Sequence, residues 1–105
     1  MDLVEWLEKW YQKNCNQEWE NFWGIEIGTL DNPGWYVRIN LEETPFENLV
    51  MEEIRKENGE NDWFICKISD HVFEGVGDSL KLKEILMIFR NLAEKYEKQL
   101  AAEEK

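Results

Sequence analysis

Few side chains in this sequence have reactive chemistry to offer: a single histidine, His71, two cysteines, Cys15 and Cys66, and 23 acidic residues against 12 basic ones. Ser69, His71 and Asp70 are the residue types of a nucleophile, a base and an orienting acid. A triad requires its members to face one another, however, and three consecutive residues in a tight turn do not. A metal centre needs several His, Cys or carboxylate ligands at compatible spacing, whereas the lone histidine here stands with cysteines 51 positions apart. The glycines of Phe73-Glu74-Gly75-Val76-Gly77 have the look of a phosphate loop but lack its Lys-Ser/Thr end. Neighbouring carboxylates such as Glu42-Glu43 and Glu52-Glu53 are what an acidic composition produces, and nothing marks them as an acid/base pair. The sequence predicts no enzyme, no cofactor, no metal and no small-molecule substrate.

What remains is surface. The formal net charge is -11, and it is concentrated in the first part of the chain: residues 1–62 hold 15 acids and 5 bases, residues 63–105 hold 8 acids and 7 bases. Such a field repels phosphate backbones and anionic headgroups and attracts basic proteins, so nucleic-acid and membrane binding are not expected. No stretch approaches the about 18 apolar residues of a membrane span. No basic N-region followed by an apolar run marks a secretory signal, so the expectation is a cytoplasmic protein with reduced thiols, monomeric or weakly dimeric. Six tryptophans in 105 residues exceed what a core of that size needs, which assigns some rings to contact surface.

The elements that must position this surface can be read from periodicity. Asp2 and Glu5 have capping-box spacing ahead of Leu3, Trp6, Leu7, Trp10 and Tyr11, predicting an amphipathic helix over about 3–13. Asn14 to Trp23 has no clean period and reads as a loop or short turn anchored by Trp19, Phe22 and Trp23. Next come two alternating runs, with Ile25, Ile27 and Thr29 on one side of the first and Trp35, Val37, Ile39 and Leu41 on one side of the second. They are joined through Asp31-Asn32-Pro33-Gly34, where Pro33 fixes its φ and Gly34 is expected to take a positive φ. Met51 and Ile54 are spaced for a helix, but the position between strands of a meander favours a third strand over 52–57; then come a turn over 58–62, a fourth strand over 63–68, a turn at 69–71 and a fifth strand over 72–76, ended by Gly75 and Gly77. Asp78 or Ser79 is expected to cap a last helix with the stripe Leu82, Ile85, Leu86, Phe89, Leu92, Ala93, Tyr96 and Leu100, beyond which the tail should fray.

The fold class that follows is α+β: an antiparallel meander sheet of four to five strands in one domain spanning 1–105, with the N-terminal and C-terminal helices packed on one face. Its predicted core is Trp6, Trp10, Ile25, Ile27, Val37, Ile39, Phe64, Cys66, Phe73, Ile85, Leu86 and Phe89. The opposite sides of the strands carry Tyr36, Arg38, Trp63, Ile65 and Lys67, with Glu26, Glu42, Glu43, Glu60, Asp62 and Glu74 around them. Aromatic anchors within an acidic rim have the makeup of an interface for a basic protein partner.

Several segments carry a resemblance. Trp10-Tyr11, Cys15-Asn16 and Trp19-Glu20, then Thr29-Leu30-Asp31-Asn32-Pro33-Gly34-Trp35, then Glu60-Asn61-Asp62-Trp63, Phe73-Glu74-Gly75 with Gly77, and Leu82 with Glu84-Ile85-Leu86, together resemble the bacterial immunity protein 53 family. The match in order and spacing runs from about Trp6 to Leu92, and the Thr29 to Trp35 segment is its most specific part. Membership would imply a small protein that binds and neutralises a toxin domain of a polymorphic toxin system. The charge points to a nuclease as that toxin. The competing reading is an acidic adaptor or nucleic-acid-mimicking regulator of another basic partner.

Overall fold

The computed structural model describes residues 1–103, the Phe22 side chain excepted. Asp2 does cap the first helix, α1 (Leu3–Asn14), accepting a hydrogen bond from the Glu5 N–H at 2.9 Å. The segment read as a loop then contains a four-residue helix, α2 (Trp19–Phe22). It forms because the Asn16 side chain accepts from the N–H groups of Glu18 and Trp19, while the Glu20 carboxylate accepts from those of Asn16 and Gln17. Trp19 anchors the segment, fully buried with its indole N–H on the Asn40 carbonyl at 2.9 Å. Trp23 does not, being 43% exposed.

Five strands follow: β1 (Ile25–Leu30), β2 (Gly34–Asn40), β3 (Ile54–Glu57), β4 (Trp63–Ser69) and β5 (Val72–Asp78). They form one antiparallel sheet in the order β1-β2-β5-β4-β3. The expected meander thus exists in two pieces, the hairpin β1-β2 and the run β3-β4-β5, with β5 lying beside β2. The chain reaches the far edge through residues 41–53, a connection held across the sheet end by Leu41 N–H on the His71 carbonyl (2.8 Å) and His71 Nδ1 on the Glu47 carbonyl (2.8 Å). A carbonyl can only accept, so His71 carries its proton on Nδ1, and its role in the fold is to hold this connection. Asp70 and His71 both have positive φ, 51° and 65°, which identifies a two-residue turn of the type that matches strand twist.

The glycines of β5 do not end it. Cross-strand register places Gly75 between Val37 and Cys66, and Gly77 between Trp35 and Phe64. A Cβ at Gly75 would lie 2.3 Å from Ile85 Cγ2, so the glycine is there to let the last helix, α3 (Leu82–Glu103), sit against the sheet. Gly34 likewise avoids positive φ; it is the first residue of β2, where a Cβ would come 2.4 Å from the Gly77 carbonyl oxygen. Asp78 bonds the N–H of Leu80 in the turn before α3, and the helix runs on to Glu103 where fraying was expected; Glu104 and Lys105 lie outside the described residues.

The core lies between α1, α3 and one sheet face. Trp10 stands at its centre, with Phe89 edge-on at 5.1 Å, Phe46 at 5.4 Å and Trp19 at 5.7 Å between ring centroids. Of the predicted core, Val37, Ile39, Phe64, Cys66, Phe73, Ile85, Leu86 and Phe89 are buried with Trp10, and Trp6 and Ile25 pack partly against them. Ile27 is not a core residue: it is 40% exposed, and Thr29 is exposed with it, because β1 is an edge strand lying beyond the cover of α3. Leu41, Phe46 and Leu49, from the strand end and the connection, complete the core instead.

Candidate protein-binding face

Alternation along each strand sends one set of side chains to the helices and the other to an uncovered face. Register arranges that open face in rows. One runs Gly28, Tyr36, Val76, Ile65 and Arg55; the next runs Glu26, Arg38, Glu74 and Lys67. Tyr36, Val76, Ile65 and Trp63 are all half-buried and form an apolar centre. All five predicted anchors, Tyr36, Arg38, Trp63, Ile65 and Lys67, therefore share this face. Val76 belongs with them although no pattern in its glycine-rich strand singled it out.

Tyr36 is held in place. Its ring covers Gly28, where a Cβ would come 2.4 Å from Cε1, and its hydroxyl donates to Glu26 Oε1 at 3.2 Å. That bond to a carboxylate, and the carboxylate's charge, push the phenol pKa up. The row Glu26, Arg38, Glu74, Lys67 alternates in sign, so the middle of the face is nearly balanced in charge.

The acids placed around it are divided by the fold. Glu42 and Glu43 follow the end of β2, beside the β4-β5 turn, with Glu43 at positive φ (63°). Glu60 and Asp62 lie at the opposite end, in the turn between β3 and β4. Glu42, Glu43 and Glu60 carry field into solvent. Asp62 is engaged within the protein: its Oδ1 lies 3.0 Å from Lys81 Nζ and 3.3 Å from Lys56 Nζ. Hydrogen bonds from Lys81, then Asn58 and Lys56, lower its pKa to about 2.

Lys81, which no motif marked, and Asp78, singled out only as a helix cap, tie this end together. The Lys81 side chain is 11% exposed and that of Asp78 4%, and Nζ lies 3.0 Å from Asp78 Oδ2. Asp78 also accepts from the N–H groups of Trp63 (2.8 Å) and Leu80 (2.9 Å). Burial works to raise the Asp78 pKa, but these donors and Lys81 outweigh it and hold the carboxyl below its ordinary value. Asp78 and Asp62 in turn raise the pKa of Lys81. Beside this knot Asn32, Pro33, Glu60, Asn61, Trp63, Asp78 and Ser79 line a cleft of about 410 Å³. The Trp35 indole N–H donates to the carbonyl of Ser79, one of these residues, at 2.9 Å. Two of the segments that carry the family resemblance, distant in sequence, meet here: the turn at Asn32 and Pro33, and Glu60 to Trp63.

The arrangement holds a shaped, partly apolar surface with oriented charge, suited to recognising another macromolecule. Among the described residues no group of three or more His, Cys, Asp or Glu is placed to hold a metal ion, and no helix is long and apolar enough to cross a membrane. Neither a curated protein nor a solved structure matches the chain. The family model of immunity protein 53 matches residues 4–94, nearly the whole length, and the chain belongs to that family of immunity proteins.

Proposed function

We propose that the protein acts in the cytoplasm as one non-enzymatic domain that binds a cognate toxin domain, a basic nuclease, and occludes its active site with the open sheet face. The observation that carries this reading is the division of the sheet: α1 and α3 cover one face, and the other presents Tyr36, Val76, Ile65 and Trp63 uncovered in a chain of net charge -11. A nuclease must hold a polyanion, so its cleft is basic, and an acidic inhibitor can enter the same field without imitating the reaction. Half-buried rings supply the anchors, while Glu42, Glu43 and Glu60 at the two ends steer the approach.

The test is co-expression with the toxin domain of the adjacent reading frame, followed by binding measurements across salt concentrations. Trp63→Ala is expected to weaken binding by about 2 to 4 kcal/mol, as loss of a central aromatic anchor does. Replacing Glu42, Glu43 and Glu60 with Gln should mainly slow association and flatten its salt dependence. Equal protection by wild type and all variants, with equal salt dependence, would refute the assignment of this face.

A further inference from the structure

The two edges of the sheet are built differently. Along an antiparallel pair, residues alternate between exchanging both backbone hydrogen bonds with the opposite residue and exchanging none. Asn40 N–H donates to the Gly24 carbonyl at 3.1 Å, so alternation directs the backbone groups of Glu26, Gly28 and Leu30 toward β2. The intervening residues bond on the other side of β2, where Leu41 N–H reaches His71 O at 2.8 Å. The backbone N–H and C=O of Ile25, Ile27 and Thr29 therefore point away from the sheet.

Nothing on β1 guards those groups. It has no proline and no lysine, its pairing with β2 is unbroken by a bulge, and Ile27 is 40% exposed. The opposite edge, β3, is only four residues long, and its Arg55 is ion-paired to Glu57 at 2.6 Å and Glu53 at 3.3 Å. A short, charged strand is how an edge is kept from pairing. β1 has six residues and a single charge, Glu26.

We propose that β1 is the strand to which the toxin adds an extended segment of its own, continuing the sheet by main-chain hydrogen bonds to Ile25, Ile27 and Thr29. Side chains of that segment alternate as those of β1 do: an apolar residue packs against Ile27 on the helix side, and a Lys or Arg stands beside Glu26 on the open face. This rests on the immunity reading and deepens it, because the edge is continuous with the open face through Tyr36, which covers Gly28 and bonds Glu26. Charge selects the occupant. A second copy would bring another net -11 to the same edge, whereas a basic segment is attracted to it.

Amide hydrogen exchange of the full-length protein, alone and bound to an inactivated toxin domain, tests this directly. The Ile27 and Thr29 amides should exchange freely in the unbound protein and at least about tenfold more slowly in the complex. Ile27→Pro removes an N–H the protein's own sheet does not use, so it should fold and should raise the Kd about tenfold. A complex in which both amides exchange as fast as in the free protein overturns the edge assignment and leaves the immunity reading intact. Failure of the wild type to bind the toxin domain overturns the immunity reading, and this inference with it. Concentration-dependent protection of the same amides without toxin would give the edge to a second copy and overturn the proposal.

Discussion

The docking of α3 on the sheet decides which face is left for a partner, and Gly75 offers a way to test it. An ideal Cβ at position 75 would lie 2.3 Å from Ile85 Cγ2 but 3.6 Å from Ile85 Cβ and 3.4 Å from Cys66 Sγ. One methyl group of Ile85 is thus the whole obstacle. Gly75→Ala should overpack this contact and cost about 1 to 3 kcal/mol. Ile85→Ala, at a fully buried position, should cost about 2 to 5 kcal/mol through lost transfer energy and the cavity left behind. In the double variant the obstructing methyl is gone, and the methyl introduced by Gly75→Ala occupies part of the space. Its cost should then lie near that of Ile85→Ala alone, a favourable coupling of about 1 to 3 kcal/mol. Urea denaturation of the four proteins measures each value, with the slopes compared to check that unfolding stays two-state. Costs that add to within about 0.5 kcal/mol would show that Ile85 and Gly75 do not meet, and the helix would then lie elsewhere.

Three further outcomes follow from the geometry. The Asp62 carboxyl is depressed from 3.8 to about 2 by Lys81, Asn58 and Lys56, so its contribution is present above the unfolded value and lost as pH falls through that interval; Lys81→Met should flatten the acid limb of a stability-versus-pH curve, and an unchanged limb would deny the pairing. Cys66 is buried and its thiol pushed up to about 12, mainly by burial and then by Glu84, so at pH 8 a thiol reagent should modify half-buried Cys15 well before Cys66, and equal rates in native protein would contradict the core placement. Trp19→Phe removes the indole bond to the Asn40 carbonyl and should destabilise by about 1 kcal/mol or more by thermal or urea unfolding, with no loss meaning that α2 is not tied to β2 there.

Most of the elements, and the side of each that is apolar, were legible in the sequence, because caps and hydrophobic periods act over a few residues. Asp2 and Glu5 mark the start of α1, the 3.6-residue stripe from Leu82 marks α3, and two-residue alternation separates Val37 and Ile39 from Tyr36 and Arg38. The family resemblance was legible for a related reason: its segments are the turns and close approaches that this packing requires, Gly34 against Gly77 and Gly75 against Ile85. Features that depend on neighbours distant in the chain emerge only from the packed fold. Ile27 has the same pattern as Ile39, yet one is exposed and the other buried, because β2 lies inside the sheet and β1 at its edge. The placement of β5 beside β2 depends on the route of residues 41–53, whose buried Phe46 and Leu49 have no regular period to announce them. Lys81 and Asp62 are 19 positions apart and look like ordinary surface charges until the fold brings Nζ to 3.0 Å from Oδ1. Hydrophobic period reports which side of an element is buried; which strand is an edge, and which charges are already paired, is set by long-range packing that no local pattern encodes.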